Sequence, residues 1–287
     1  MTHSGEAIAA RANSILFDVQ ELSELAKEGQ NPFASTFRLG VLQSLGPYLL
    51  PHILPQLRNS YPNLRLHLRE AMPDDLLQGL QERRLDLLFF PLPVRNNNFH
   101  TSALFEESLW LVVPKDHQLA SREAVSVSEI KGETVLTLER GHRLHDQVRD
   151  LCSDFDANLA RDYEGTSLDT VRQMVGMGMG IAFMPALYVK EEVLDDNQVV
   201  ACPLGPQPPT RMMGMIWHRQ SSHHDEFSAL ASMIQGIIKD RLSEIAVLQQ
   251  SDVRRLTSTP DLRPTPPPPP AVRRKRLPLS APPLPHR

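Results

Sequence analysis

The sequence predicts an α/β protein built as two lobes around a cleft. Three observations predict it. Short apolar strands alternate with amphipathic helices from Phe37 to about Leu248, an order that produces parallel sheets covered by helices. A strongly apolar run, Leu109 to Val113, ends at Pro114 and divides that alternation into two sets. Met212 to Trp217 then reads as a strand followed by a long helix, which returns the chain to the first set.

The elements follow in order. Gly5 to Glu28 reads as a helix: Ile8, Ala12, Ile15, Val19, Leu22 and Ala26 recur at heptad spacing, and Gly29, Asn31 and Pro32 stop it. Such a stripe is buried either on its own domain or on a second copy. Phe37 to Leu42 is a strand and Pro47 to Asn59 a helix with Leu49, Leu50, Ile53, Leu54 and Leu57 on one face. Leu64 to Leu68 is a strand, Asp74 to Arg83 a helix, and Asp86 to Phe90 a strand. In the second set, Glu133 to Leu138 is a strand, Leu144 to Phe155 and Ser167 to Met177 are helices, and Gly180 to Met184 is a buried strand. Asp225 to Leu242 is the closing amphipathic helix.

The expected organisation is a separate helix over 1–30 and a two-lobed domain over 36–248. Lobe I takes 36–108 and 212–248, and lobe II takes 109–211. A tail covers 249–287. That tail holds 11 prolines, with the run Pro266 to Pro270 and the basic cluster Arg273-Arg274-Lys275-Arg276, and reads as extended and solvated. It is either a plain extension or a weak site for nucleic acid or a proline-recognising partner.

Composition narrows the function. Hydrophobic residues make up 41% and charged residues 22%, and no apolar run reaches the ~20 residues of a membrane span. The start lacks a secretory pattern, so a cytoplasmic location is expected. Net charge is −4, of which the tail contributes +6 (eight Lys/Arg, two Asp), leaving −10 for the rest. An acidic body is no DNA-binding surface. There is no Gly-rich phosphate loop, nucleophile elbow or acid–base pair, so no enzyme and no cofactor are expected.

Candidate sites cluster at helix starts. Ser44 precedes the first-lobe helix, and Thr166 and Ser167 precede a second-lobe helix. Each either caps its helix, with Asp169 completing a capping pattern in the second, or offers a hydroxyl to an anion in the cleft. His142, Arg143 and His145 form a cationic loop, in which Arg143 is either a solvated loop arginine or a partner for a carboxylate or phosphate. His142 and His145 with Cys152 lack the ligand set of a metal site, and His223-His224 reads as a polar surface turn. Met174, Met177, Met179 and Met184 read as core. Cys152 and Cys202 are packed thiols or, within reach of each other, a reversible pair.

The stretch GVLQSLGPYLLPHILPQL from Gly40, followed by Tyr61-Pro62-Asn63-Leu64, resembles the effector domain of LysR-type transcriptional regulators, and most of all their OxyR-like branch. Gly141 to Gln147 with Cys152, Thr166 to Arg172, Gly178 to Ile181 and Met184-Pro185-Ala186 carry the likeness onward. Met1-Thr2 with Gly5, Arg11-Ala12 and Ile15-Leu16 resembles the family's dimerising linker helix. The resemblance covers 1–246 and leaves the tail without a counterpart. It implies a periplasmic-binding-protein-like (type 2) fold and a regulatory module that responds to a small, anionic effector in oxidative-stress control. The implied effector-binding residues are Ser44, Leu45, His142, Arg143, Thr166, Ser167 and Phe183. Ile8, Ala12, Ile15, Val19 and Leu22 would pair chains into a homodimer or homotetramer. The family's winged helix-turn-helix is expected upstream of Thr2 and missing here, so DNA contact would belong to that head.

The chain departs from the branch in its chemistry. Where the resemblance expects a peroxide-attacking cysteine stands Arg143, and a guanidinium cannot replace a thiolate. Cys152 matches the partner cysteine and would have no sulfenic acid to resolve. Ser44 keeps one expected pocket hydroxyl, whereas Pro73 replaces another. Peroxide sensing by the usual pair is therefore not expected. The alternatives are a solute-binding protein of the same design, or a thiol switch through Cys152.

Overall fold

The computed structural model describes residues 33, 36–205 and 207–242, with positions 2, 4, 5, 8, 12 and 19. Lobe I opens with β1 (Thr36–Val41), α1 (Gly46–Ser60), β2 (Arg65–Glu70), α2 (Pro73–Gln81) and β3 (Leu87–Leu92). β1 pairs parallel with β2 and with β3, as the short β-α-β spacing requires. α1 forms despite Pro51 and Pro55 because Leu49, Leu50, Ile53 and Leu57 bury one continuous face.

β4 (Phe99–Pro114) then runs for 16 residues. Lobe II adds β5 (Thr134–Leu138), α3 (Arg143–Asp154), β6 (Asn158–Gly165), α4 (Leu168–Gly176), β7 (Ile181–Pro185), the turn α5 (Ala186–Tyr188) with a π-helix at Val189–Val193, and β8 (Val199–Cys202). β9 (Thr210–His218) returns to lobe I and is followed by α6 (His224–Arg241). The strand order is β2-β1-β3-β9-β4-β7-β5-β6, with β8 also on β4. The expected two-lobed α/β architecture is present. β4 is the shared member: its first part pairs antiparallel with β9 and its second with β7 and β8.

The structure corrects several element readings. β4 begins at Phe99, ten residues before the apolar run at Leu109. A register shift between Ala103 and Phe105 breaks the alternation there, and ladder bonding to β9 holds polar residues such as Thr101 and Ser102 in the strand. β6 is an exposed edge strand without an apolar face, and β8 has four residues, so neither stands out in sequence. His223 is no surface residue: its ring lies edge-on to Phe37 at 4.9 Å, and it is 6% exposed. His224 accepts a hydrogen bond from Trp217 Nε1 at 3.1 Å. Met184 is core, but Met177 at the end of α4 is 73% exposed.

Ile8, Ala12 and Val19 are helical and exposed, while Ile15 and Leu22 lie outside the described residues, as does the Pro-rich tail. No helix among the described residues is long and apolar enough to cross a membrane.

Candidate functional site

β4 and β9 cross between the lobes side by side, and Glu107 on one stands opposite Arg211 on the other. Arg211 Nε donates to Glu107 Oε1 at 2.7 Å, with Glu107 fully buried and Arg211 nearly so. The remaining valences reach both lobes. Arg211 Nη2 donates to the Ser44 carbonyl at 3.0 Å, and Nη1 lies 3.4 Å from Ser44 Oγ. Glu107 Oε2 accepts from the Leu187 N–H, at the start of α5, at 3.2 Å. A buried ion pair persists when its other lone pairs and protons are also satisfied, and this one is satisfied by the β1–α1 turn of lobe I and the α5 turn of lobe II.

A cleft of about 520 Å³ opens beside this network. Ser44 and Leu92 border it from lobe I, Arg211 and Thr210 from the crossing strand, and α3 from lobe II. Along α3 the bordering residues Arg143, Gln147, Asp150 and Asp154 fall at i, i+4, i+7 and i+11, one helix face. Gln147 Nε2 donates to the Thr210 carbonyl at 2.8 Å and so ties α3 to β9. Glu106, Asp146, Asp150 and Asp154 place four carboxylates around two arginines, one of which is already committed to Glu107. Arg143 is exposed and forms no ion pair among the described residues; its Cζ lies 5.9 Å from the Phe90 ring.

The sequence-predicted residues divide accordingly. Ser44 and Arg143 border the cleft together. Leu45 and Phe183 are buried core, and Thr166 is exposed away from it. Ser167 caps α4, its Oγ accepting from Thr170 N–H at 3.2 Å, whereas Asp169 accepts from Tyr188 Oη at 3.0 Å. His142 and His145 are both buried; among the described residues His142 Nε2 and His145 Nδ1 have no hydrogen-bond partner, and the carboxylates of Glu139 and Asp146 lie 3.9 and 3.6 Å from them. Burial holds the His142 imidazole below its ordinary pKa, so the loop is less cationic than its sequence suggests. Sequence reasoning missed Glu107, Arg211 and the acidic stripe of α3. The stripe was legible as helical spacing; the ion pair was not, since its partners lie 104 residues apart.

The thiols are quiet. Cys152 and Cys202 are both free and buried. Burial pushes the Cys152 thiol up to about 11, far from the thiolate that peroxide chemistry needs. Cys202 is pushed up likewise, and its thiol donates to the Leu119 carbonyl at 3.4 Å. No group of three or more metal-ligating side chains occurs among the described residues.

Comparison with known proteins places this geometry. Residues 30–237 match the LysR substrate binding domain family. The chain is 34% identical over 234 residues to the DNA-binding transcriptional dual regulator OxyR of Escherichia coli K12, covering 82% of this chain and 76% of that one. Among solved structures, the oxidized form of OxyR matches with a TM-score of 0.67 at 34% identity, covering 73% of this chain and 98% of that one. A full-length OxyR variant from Pseudomonas aeruginosa matches with a TM-score of 0.70 at 28% identity, covering 82% of this chain and 76% of that one.

Proposed function

Because the chain belongs to the LysR substrate-binding domain family and is OxyR-like within it, we propose that it is the effector-sensing module of a cytoplasmic transcriptional regulator that reads a bound small molecule instead of oxidising a cysteine. The observation that carries this reading is the replacement at the start of α3. Arg143 borders an open interlobe cleft at the position where the resemblance expects a reactive thiol, and Cys152 is buried and protonated. A guanidinium recognises a ligand; it cannot form a sulfenic acid.

The effector lies between Ser44 and Arg211 on one side and Arg143 and Gln147 on the other. Its preference for one lobe arrangement supplies the signal, since a ligand shifts an equilibrium only through differential affinity. The extents 1–30, 36–248 and 249–287 serve as linker helix, effector domain and tail. Ile8, Ala12, Ile15, Val19 and Leu22 pair two chains, and DNA contact falls to a winged helix-turn-helix coupled to this module. A solute-binding role is disfavoured by the regulators among its relatives.

Thermal melting against a panel of small carboxylates, amines and sugar phosphates tests the reading, using the native chain and Gln147→Trp, which fills the cleft. At least one compound raises the native melting temperature and leaves the variant unmoved. A panel that acts identically on both contradicts the proposal.

A further inference from the structure

A second recess, about 470 Å³, shares Pro93 and Arg143 with the cleft. Leu77 and Gln81 of α2 form one wall, and Val94 and Arg95 of the β3–β4 connection with Phe99 at the start of β4 form another. Arg143, from lobe II, closes it.

The charges of the two spaces differ in kind. Four carboxylates line the cleft, whereas none lines the recess. The recess instead holds two guanidiniums, Arg95 and Arg143, and neither has an ion-pair partner among the described residues. Like charges facing one space repel each other, and an anion placed between them converts that repulsion into two attractions. Asn96 spends its amide N–H on Gln81 Oε1 at 3.2 Å, so the Gln81 NH₂ remains as a further donor. Leu77, Val94 and Phe99 supply an apolar wall that a bare inorganic anion would leave unused.

We propose that this recess is an anion site separate from the cleft, and that it takes a small organic carboxylate with an apolar body. The carboxylate lies between Arg95 and Arg143, where two planar guanidiniums match its geometry. The apolar body lies on Leu77, Val94 and Phe99. Because Arg95 belongs to lobe I and Arg143 to lobe II, a bound carboxylate bridges the lobes and draws Arg143 away from the cleft. Binding here does not require that the cleft hold an effector.

Calorimetric titration with phenylacetate tests the site, with phenylacetamide as its neutral counterpart and inorganic phosphate as an anion without an apolar body. Phenylacetate is expected to bind the native chain and Gln147→Trp equally. Arg95→Gln, at an exposed position that leaves the melting temperature unchanged, is expected to weaken it about tenfold or more, the loss of one charge-assisted contact. Phenylacetamide and phosphate are expected to give no comparable heat. Equal binding by Arg95→Gln overturns the site, as does the absence of phenylacetate binding at millimolar concentration. Phosphate binding as tightly as phenylacetate overturns the ligand class. Loss of binding in Gln147→Trp places the anion in the cleft, which overturns this inference and leaves the proposed function standing.

Discussion

Glu107 and Arg211 face each other across β4 and β9 with 2.7 Å between Oε1 and Nε, and through Leu187 and Ser44 the pair grips both lobes. Breaking such a pair leaves an uncompensated buried charge. Arg211→Met and Glu107→Leu are each expected to lower unfolding free energy by about 3–5 kcal/mol, while the double variant recovers most of the loss. Urea denaturation of the four proteins measures this; additive losses would show that the pair is not coupled.

Cys152 is expected to behave as a core residue. With its thiol held near 11 by burial, iodoacetamide modifies it slowly at pH 8 in the folded chain and quickly in urea. Mild peroxide leaves it unmodified by mass. Rapid labelling in the folded state, or a sulfenic acid adduct after peroxide, would restore the thiol-switch reading.

His142 gives the fold a pH dependence with a definite sign. Burial lowers its pKa below the ordinary value near 6.5, so the unfolded chain binds the proton more readily than the folded one. Its stabilising contribution is complete above about pH 6.5 and is lost as pH falls through the lower folded value. His100 is shifted the same way by burial and by the neighbouring His224 and Arg219. Melting temperature is therefore expected to fall between pH 7 and pH 5, and less steeply in His142→Gln. Parallel slopes for the two proteins would remove His142 from this role.

Gly141 holds the turn into α3 at φ +99°, a region that side chains avoid, and an added Cβ would meet Met72 Cε at 3.1 Å. Gly141→Ala is expected to cost about 1 kcal/mol or more and to displace Arg143 from the cleft mouth. Stability and ligand-induced melting shifts measured together check both parts; an unchanged shift shows that the turn does not position Arg143.

The fold was legible in sequence wherever burial is one-sided. Leu49, Leu50, Ile53 and Leu57 announce α1 by spacing alone, and Leu87 to Phe90 announce a strand buried on both faces. β6 was not legible, because an exposed edge strand needs no apolar face. Nor was the full length of β4, whose polar first part is held by its ladder to β9. For the proposed site, Ser44 and Arg143, which border the cleft, are marked in sequence by their position at helix starts, since helix starts are set locally. Arg211 was not, because it follows a proline-rich connection and acquires its meaning only opposite Glu107. The sign of the cleft also escaped, because Asp150 and Asp154 read as ordinary solvated charges until α3 is docked against β9.

The proposed effector touches both lobes at once. Amide hydrogen exchange on the native chain is the measurement to make, with and without a compound that raises its melting temperature but not that of Gln147→Trp. Added protection is expected in the turn from Leu42 to Gly46 and in the first turn of α3 from Arg143 to Gln147, together and at the same ligand concentration. Protection confined to one of these segments, or appearing in neither, would contradict contact with both lobes.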